Sequence, residues 1–577
     1  MASPAEALST LVRAIQGSVE RHPKPSPGHV YSYGTAGFRG DAALLDRAVF
    51  TSGCIAGLRA LSLATKGSAA SGVATGVMVT ASHNPEKDNG VKLVEGHGDM
   101  LDQEWEADAA RLANIAEPET FAAEFVKYAA SVGVDLADLG SLGLKGRTVV
   151  VIIGRDTRPT GVSLCASARE GAECFAALEM LGGAAVRVSD MGVVSTPILH
   201  YAVLKANTTD AVEVAAQVGS GAVEDAYNLM LAQGFVGFIK GVEGANAGRM
   251  LVDGANGVGA QKLRNVIEVL QNSFKNHVLD GVEVRNDGQT PGGVLNFNCG
   301  ADHVQKEGLP VGFEAGPSIQ GARCASIDGD ADRIVYFTYD NGFFLFDGDR
   351  IAVLAAILIR EALERCGLLE GTSIGVVQTA YANGASTAYL REVLKVETAC
   401  TPTGVKHLHP VAKKYDVGIY FEANGHGTVL FSDKLQARAS TGGEGASSFA
   451  HLFGMINQAV GDALSGLLLV EAAMLVKGWT IAEWRNLYTE LPSRQVKVTV
   501  PDRTKIKTVY DETRVTEPAA LQPRIDAIVK ESGFRARAFV RPSGTEDVVR
   551  VYAEAEDDAM AASLAERICE AVREVVL

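Results

Sequence analysis

Apolar residues recur along the chain in two spacings, one typical of helices and one typical of strands. Near the start, five apolar residues share one face of a helix: Leu8, Leu11, Val12, Ile15 and Val19. Further on, buried-type strands begin at Thr148, Met250 and Ile374, and each is followed by a polar turn rich in Gly or Asn and then by a helical pattern. This repeated order predicts three related α/β domains with mixed sheets.

The last part of the chain has a different pattern. Apolar and polar residues alternate over 496–500 and 549–553, and a helical stripe follows over 560–575, which predicts a smaller α+β domain. A chain of 577 residues is too long for one core, so we expect four domains around a central cleft. Their predicted bounds are 1–204, 205–342, 343–455 and 456–577. The stretch 437–448, rich in Gly, Ser and Ala, is predicted to be a flexible surface loop.

Composition and charge narrow the class of protein. Apolar residues make up 47% and charged residues 21%, which is typical of a globular protein. The net charge of −16 disfavours nucleic acid or an anionic membrane as the main partner. The most apolar internal stretch, Leu464 to Val476, contains Glu471 and is too short to span a bilayer. Because the eight cysteines include no C-x-x-C pair, we expect reduced thiols in a cytoplasmic protein.

A turn after one strand carries the first candidate for catalysis, Thr80-Ala-Ser-His-Asn-Pro85. The β-branched run before it predicts a strand, and Asn84-Pro85 ends that strand. The hydroxyl of Ser82 is therefore expected at the mouth of a sheet, with His83 beside it. A serine followed by a histidine is common in ordinary turns, so the assignment depends on the rest of the sequence.

A second turn, Ser326-Ile-Asp-Gly-Asp-Ala-Asp-Arg333, places three carboxylates at alternate positions. Asp328, Asp330 and Asp332 would repel one another at pH 7 unless a cation lies among them. A buried-type strand follows directly, which disfavours three solvated aspartates. An EF-hand is excluded, because Arg333 stands where that loop requires glycine. The turn therefore predicts a site for a hard divalent metal.

Two further turns carry residues typical of ligand sites. Glu422-Ala-Asn-Gly-His-Gly427 follows a short apolar strand, where ligand-facing side chains often gather. In Phe539-Val-Arg-Pro-Ser-Gly-Thr-Glu546, consecutive small residues can turn backbone N–H groups towards an anion. Arg541 and Arg550 can grip phosphate oxygens there. A solvated glutamate and an ordinary hairpin turn are the alternatives.

These turns resemble, in order and over nearly the whole chain, the motifs of the α-D-phosphohexomutase superfamily. The resemblance implies a phosphoserine at Ser82, faced by Arg39 of the glycine-rich segment 33–40, with His83 as a further catalytic residue. It implies one Mg²⁺ per chain, held by Ser82, Asp328, Asp330 and Asp332. The substrate-binding residues that it implies are Glu422, Ala423, Asn424, Arg541, Pro542, Ser543, Gly544, Thr545 and Arg550.

The sequence of the Glu422 turn resembles that of the superfamily branch that acts on N-acetylglucosamine phosphates. Relatives that act on glucose or mannose phosphates have serine where Asn424 stands. The segments 377–384 and 402–409 resemble the same branch. This implies interconversion of N-acetylglucosamine 6-phosphate and 1-phosphate through a 1,6-bisphosphate, in the biosynthesis of UDP-N-acetylglucosamine.

Three alternatives stay open at this point: a mutase of glucose or mannose phosphates, a phosphatase with Asp328 as nucleophile, and a catalytically silent phosphosugar sensor. The phosphatase would need Thr or Val at the position of Asp332 and would leave Ser82 without a role. The general acid and base are not identified; the candidates are His83, Lys92, Lys406 and His407. The oligomeric state is not indicated.

Overall fold

The computed structural model describes residues 4–34, 37–66, 72–136, 144, 147–176, 185–208, 220–242, 246–533, 535–543 and 547–576. Within them the chain forms three mixed sheets of five, five and four strands, a three-stranded antiparallel sheet and a two-stranded ribbon. The prediction of three α/β units followed by a smaller α+β domain is confirmed. The bounds predicted for the four domains stay predictions.

The first sheet has the order β1-β3-β2-β4-β5. Its strands are β1 (Phe38–Asp41), β2 (Gly72–Val79), β3 (Asp88–Val94), β4 (Thr148–Arg155) and β5 (Ala185–Val193). Strands β2, β4 and β5 are parallel, whereas β3 is antiparallel to both β1 and β2. The helices of this part are α1 (Pro4–Arg21), α2 (Asp46–Lys66), α3 (Gln103–Ala113), α4 (Pro118–Ser131), α5 (Gly161–Glu173) and α6 (Thr196–Thr208).

Helix α2 packs closely on α5 at glycines of both helices. A Cβ on Gly53 would lie 1.9 Å from the Ala168 carbonyl oxygen, and one on Gly171 would lie 2.1 Å from that of Phe50. Of the helices in the described part of the chain, α2 alone is long and apolar enough to cross a bilayer. Its apolar window is 89% buried within the protein.

The second sheet has the order β10-β9-β8-β6-β7 and the third the order β12-β11-β13-β14. Their strands are β6 (Met250–Asp253), β7 (Val282–Arg285), β8 (Arg323–Ile327), β9 (Ile334–Tyr339), β10 (Phe343–Phe346), β11 (Ile374–Thr379), β12 (Glu397–Thr401), β13 (Val417–Phe421) and β14 (Gly427–Phe431). The helices are α7 (Ser220–Phe238), α8 (Gly259–Phe274), α9 (Ala301–Glu307), α10 (Gly348–Arg365), α11 (Gly384–Ala388), α12 (Val405–Ala412), α13 (Asp433–Ser440), α14 (Glu444–Met455), α15 (Ala463–Lys477) and α16 (Ile481–Arg485). Short 3₁₀ and π turns lie at Ala42–Leu44, Cys174–Ala176, Tyr389–Val393 and Arg503–Lys505.

Each of the three large sheets contains one hairpin in which a parallel strand is followed by an antiparallel one: β2–β3, β8–β9 and β13–β14. The connections are residues 80–87, 328–333 and 422–426. They leave the carboxyl ends of parallel strands, where open α/β sheets bind their ligands. The turns predicted to carry the catalytic serine, the metal and the sugar therefore occupy the same position in three related sheets.

The prediction of a flexible loop over 437–448 is wrong. Helix α13 continues to Ser440 and α14 begins at Glu444, so only a short turn around Gly442 separates them. The small residues of this stretch include Ala439 and Ala446, which are buried in the core, and alanine is the best helix former. Small residues of this kind let two helices pack closely. Gly, Ser and Ala content alone does not distinguish such a helix pair from a loop.

The C-terminal domain contains the sheet β15-β19-β18, all antiparallel, and the ribbon β16-β17. Its elements are β15 (Ser493–Thr499), β16 (Lys507–Thr508), β17 (Val515–Glu517), β18 (Arg537–Pro542), β19 (Val548–Glu554), α17 (Leu521–Glu531) and α18 (Asp558–Val576). Val498, Val549 and Val551 form a core with residues of α18. The opposite face, with Phe539 and Tyr552, packs on Tyr381 after β11.

Candidate active site

Ser82 lies in the β2–β3 connection with a left-handed backbone (φ 52°) and is fully buried. Its N–H donates to Thr80 Oγ1 at 2.9 Å, and its Oγ donates to Asp328 Oδ2 at 2.6 Å. A positive φ at a residue other than glycine costs about 1–3 kcal/mol and persists only where the surroundings hold it. The turn therefore holds the hydroxyl against the aspartate turn of the second sheet.

Arg158 and Asn296 hold the backbone of the serine turn, and sequence reasoning missed both. The buried guanidinium of Arg158 donates to the carbonyls of Ser82 (3.0 Å), Asn84 (2.9 Å), Pro85 (2.6 Å) and Asp88 (3.0 Å). Asn296 Nδ2 donates to the first two of these, at 2.8 and 3.0 Å. Arg158 lies in a polar turn directly after β4, the parallel neighbour of β2, and that position was a signal for it.

The three aspartates of the second hairpin lie together, as predicted. One oxygen from each of Asp328, Asp330 and Asp332 lies within 4.8 Å of the others, and all three side chains are buried. Lys92 Nζ donates to Asp330 Oδ2 at 2.9 Å and to Asp332 Oδ2 at 2.8 Å, and Thr196 Oγ1 donates to Asp330 Oδ2 at 2.7 Å. The loops of the first and second sheets thus meet at this cluster.

The cluster fits a hard divalent cation. Asp330 Oδ1 and Asp332 Oδ1 are buried and have no hydrogen-bond partner among the described residues. Burial and then the other two carboxylates raise the pKa of Asp328 well above its usual value. Burial opposes ionisation of Asp330 as well, yet Lys92 and Thr196 hold its pKa below the usual value. Free carboxylate oxygens beside the Ser82 hydroxyl are ligands of the kind that Mg²⁺ prefers.

The turn 422–426, here called the sugar turn, is hydrogen-bonded directly to the end of the turn 328–333, here called the metal turn. Gly425 has φ 83°, and a Cβ there would lie 1.9 Å from the Ile334 carbonyl oxygen. The Ile334 N–H donates to the Gly425 carbonyl at 3.2 Å, and Arg333 forms an antiparallel bridge with His426. Only glycine permits this approach, so Gly425 fixes the distance between the two turns.

Three predicted substrate-binding residues of this turn are half-buried. Glu422 Oε1 accepts from the Gly404 N–H at 2.9 Å, and the Ala423 carbonyl accepts from the N–H at the start of α10. Asn424 Oδ1 accepts from the His426 N–H at 3.0 Å, which leaves the amide nitrogen to donate to a ligand.

Of the two further residues named for catalysis, His83 is part of the serine turn and Arg39 lies beside it. Arg39 Nη1 donates to Asn84 Oδ1 at 3.4 Å. Burial, then Arg333 and Arg39, keep the pKa of His83 well below its usual value, so its imidazole is neutral at pH 7. Burial and then Arg333 also lower the pKa of Arg39. The repulsion between Arg39 and Arg333 indicates a place where an anion can bind.

Cationic side chains also gather in the C-terminal domain, where Glu512 accepts from one of them, Arg541. Arg541 lies opposite Arg550 across β18 and β19, and Lys497 lies opposite Arg550 on β15. Like charges directly opposite one another destabilise a sheet unless an anion joins them. Pro542 ends β18, and Ser543 is buried, whereas Gly544 and Thr545 lie outside the described residues.

Comparison with known proteins decides the family. Models of phosphoacetylglucosamine mutase AMG1 match residues 233–335 (domain II) and 347–479 (domain III), and phosphoglucomutase/phosphomannomutase models match 46–122 (alpha/beta/alpha domain I) and 496–571 (C-terminal domain). The Arabidopsis thaliana phosphoacetylglucosamine mutase is 44% identical, over 97% of this chain and 98% of the relative. The human one is 42% identical, over 96% and 95%. The chain belongs to the phosphoacetylglucosamine mutase family.

A solved structure of a phosphoacetylglucosamine mutase family member agrees with this fold. It is the Aspergillus fumigatus N-acetylphosphoglucosamine mutase in complex with GlcNAc-6P and magnesium. The match has a TM-score of 0.85 at 40% identity and covers 98% of this chain and 99% of the other. All four domains of the family are therefore present in this chain.

The structure separates the four candidates for general acid and base in this member of the phosphoacetylglucosamine mutase family. Lys92 lies in the aspartate cluster and His83 beside Ser82. Lys406 Nζ donates to Glu106 Oε2 at 2.8 Å, a contact with helix α3. The ring of His407 lies against that of Tyr510 of the C-terminal domain, with 6.5 Å between centroids.

Proposed function

We propose that this chain interconverts N-acetylglucosamine 6-phosphate and N-acetylglucosamine 1-phosphate, through a phosphoserine at Ser82 and a 1,6-bisphosphate. The observation that carries the proposal is the 2.6 Å hydrogen bond from Ser82 Oγ to Asp328, within a buried cluster of three aspartates. It joins the nucleophile of one sheet to the metal ligands of the next. Membership of the phosphoacetylglucosamine mutase family supports the choice of sugar.

In each half-reaction, the bond between phosphorus and Ser82 Oγ breaks as a bond to a sugar hydroxyl oxygen forms, or the reverse. The proton of the attacking hydroxyl passes to a neighbouring base, and His83 is neutral and can accept it. Arg39 and Arg333 supply positive charge beside the serine turn. Phosphoryl transfer mainly requires positioning and such electrostatic stabilisation.

Ser82, Asp328, Asp330 and Asp332 would hold Mg²⁺, which when bound supplies positive charge to the oxygens of the transferred phosphoryl group. Glu422, Ala423 and Asn424 hold the sugar, and the amide nitrogen of Asn424 donates to the ligand. The phosphatase alternative gives Ser82 no role, although its Oγ is bonded directly to Asp328.

The phosphate that is not reacting binds at a distal site, formed by Arg541, Arg550 and the residues from Pro542 to Thr545. Since Ser82 is fixed, the bisphosphate must turn over so that its other phosphate meets the serine. The distal site therefore accepts the 1-phosphate in one half-reaction and the 6-phosphate in the other. We also propose a cytoplasmic location, supported by eight cysteines that are all free thiols.

Phosphorus NMR of the purified chain with N-acetylglucosamine 6-phosphate, Mg²⁺ and a trace of glucose 1,6-bisphosphate tests the proposal. We expect the 1-phosphate to appear, with a higher kcat/KM than for glucose 6-phosphate or mannose 6-phosphate. Release of inorganic phosphate instead would support the phosphatase. Absence of any conversion would support the sensor, and a preference for glucose or mannose phosphates would place the activity with the hexose phosphate mutases.

A further inference from the structure

The turn 509–514 joins β16 to β17 at the edge of the C-terminal domain and is closed by a bond from the Val509 N–H to the Arg514 carbonyl, 2.9 Å. It makes one contact each with strand β12, with the loop after that strand and with helix α12. These are Cys400 Sγ with the Asp511 carbonyl (3.9 Å), Thr403 with Glu512, and the ring of His407 with that of Tyr510. This turn is therefore one of the places where the C-terminal domain meets the sugar-binding part.

Glu512 uses both of its carboxylate oxygens at this contact. Oε1 accepts from Arg541 Nη1 at 2.9 Å, and Oε2 accepts from the N–H and Oγ1 of Thr403 at 3.0 and 2.8 Å. The side chain is 18% exposed and that of Arg541 is 13% exposed, so water screens the pair little. Glu512 also has a positive φ of 62°, a strained backbone that surrounding contacts must hold.

Through its neighbour, Thr403 connects this carboxylate to the sugar turn. The N–H of Gly404 donates to Glu422 Oε1 at 2.9 Å. A chain of contacts thus runs from the phosphate-binding Arg541, through Glu512 and Thr403–Gly404, to the sugar-binding Glu422. The two ends bind different parts of one substrate molecule under the function proposed above.

We propose that Glu512 is a positioning residue that fixes Arg541 for the non-reacting phosphate and holds the C-terminal domain onto the sugar turn while the bisphosphate is in the cleft. This inference rests on the mutase activity and on the distal role of Arg541. The ligand that it serves is the phosphate monoester of a sugar whose other end lies at Ser82.

The contacts of Arg541 distinguish positioning from competition with the phosphate. A guanidinium has five N–H donors. The contacts to Tyr381 Oη (from Nε, 3.1 Å) and to Glu512 (from Nη1) use two of them. The others, including both on Nη2, can bind phosphate oxygens while Glu512 stays in place. Glu512 therefore supports the bound phosphate and does not have to be displaced by it.

The test compares Glu512→Gln with the wild-type chain. Glutamine keeps the shape but has one acceptor oxygen, so it cannot accept from Arg541 and Thr403 together. We expect kcat/KM to fall about ten- to a hundredfold in both directions, since a hydrogen bond between charged groups is lost. Free N-acetylglucosamine 1,6-bisphosphate should accumulate, and excess glucose 1,6-bisphosphate should restore most of kcat, because it rephosphorylates Ser82 after the intermediate escapes.

Glu517→Gln is the matched control. Glu517 lies on the same ribbon, but its side chain is 57% exposed and pairs with Lys507 at the outer edge, at 2.8 Å. It should match the wild type. Thr403→Val, which removes Oγ1 but keeps the N–H, should release the bisphosphate to a smaller extent than Glu512→Gln and provides the test if that variant does not fold.

Three results would overturn the inference. They are a Glu512→Gln variant that behaves like Glu517→Gln, a loss of kcat that excess glucose 1,6-bisphosphate does not restore, and tighter retention of the bisphosphate intermediate by Glu512→Gln. The last would mean that Glu512 competes with the phosphate. Wild-type turnover in the same assays tests the proposed function separately. A wild-type chain without isomerase activity overturns that function, whereas an active wild type with an unaffected Glu512 variant overturns the positioning role alone.

Discussion

The metal turn and the distal phosphate site are connected to the rest of the protein by different kinds of hydrogen bonds. The metal turn is joined by backbone hydrogen bonds to all sides. Its carbonyls accept from the N–H groups of Thr196, Val258 and Ala463, and the Ile334 N–H donates to Gly425. The distal site meets the rest of the molecule through side chains, such as Glu512 on Thr403 and Arg537 on the carbonyls of Ala380 and Ala382.

This difference matches the two requirements of the reaction. Transfer of a phosphoryl group needs reacting atoms placed to within a fraction of an ångström, and backbone bonds from four parts of the chain provide a fixed frame. The bisphosphate must also turn over, so the contacts at its far end have to form and break in every cycle. Side-chain contacts can do this without any change to a backbone ladder.

The largest effect is expected from a substitution of the nucleophile in the fixed centre, which consists of Ser82 and the metal turn. Ser82→Ala should lower kcat/KM by at least about a thousandfold, because no other group can carry the phosphate. The fold should be kept, since Ala255 and Ala331 show that alanine adopts the same φ in this protein. Intact-protein mass spectrometry gives the check: one phosphate on the wild type and none on the variant.

As a control, Ser163→Ala removes an exposed hydroxyl that donates to the Thr160 carbonyl, and this variant should keep the phosphate. Phosphate on a residue other than Ser82 in the active wild type would contradict the mechanism.

Removing one metal ligand should have the next largest effect. Asp330→Asn loses a charged oxygen that no described donor binds, and we expect activity at fixed Mg²⁺ to fall about a hundredfold. A titration of Mg²⁺ against activity should show a weaker apparent affinity. Asp340→Asn, at an exposed turn after β9, should leave the titration unchanged. An unaltered metal requirement in Asp330→Asn would remove the assignment.

A third change separates the metal turn from the sugar turn without touching either set of ligands. Gly425→Ala would place a Cβ 1.9 Å from the Ile334 carbonyl at φ 83°, so the two turns must move apart. A displacement of about 1 Å can cost about a hundredfold in rate, and we expect a loss of up to that size in kcat/KM. Gly342→Ala, which has open space around the new methyl group, is the control. Equal activity of the two variants would show that the sugar turn is not fixed by this contact.

Sequence patterns predicted this fixed centre only in part. Ser82 and the three aspartates each follow a buried strand and carry recognisable chemistry, so they could be found one turn at a time. The position of Arg158 after β4 signals a site residue but not its role, because Arg158 and Asn296 bind backbone carbonyls of a distant turn; Asn84 lies 74 and 212 residues from them. Glu512 stands in no recognised motif, and its partners come from two other regions. Such residues are defined by the assembly of the sheets, which local patterns do not encode.

The smallest expected effect comes from the distal site, where contacts are replaceable. Arg541→Ala removes one of two opposed guanidinium groups, and a lost charged contact is worth about 1.5–3 kcal/mol, or roughly ten- to a hundredfold in kcat/KM. Because the same arginine binds the 1-phosphate in one half-reaction and the 6-phosphate in the other, the loss should appear in both directions, with more bisphosphate released per turnover. The control is Arg494→Ala, which removes a half-buried arginine of β15 that pairs with Asp558.

Forward and reverse kcat/KM for these two variants decide the distal assignment. The equilibrium constant fixes the ratio of the two directions, so a true loss must be equal in both. If Arg541→Ala is near the wild type in both directions, the non-reacting phosphate binds elsewhere and the difference between the two regions does not reflect turnover of the bisphosphate. If it loses activity equally in both and releases the intermediate, the side-chain contacts of the C-terminal domain are what keep the sugar in the cleft while it reverses.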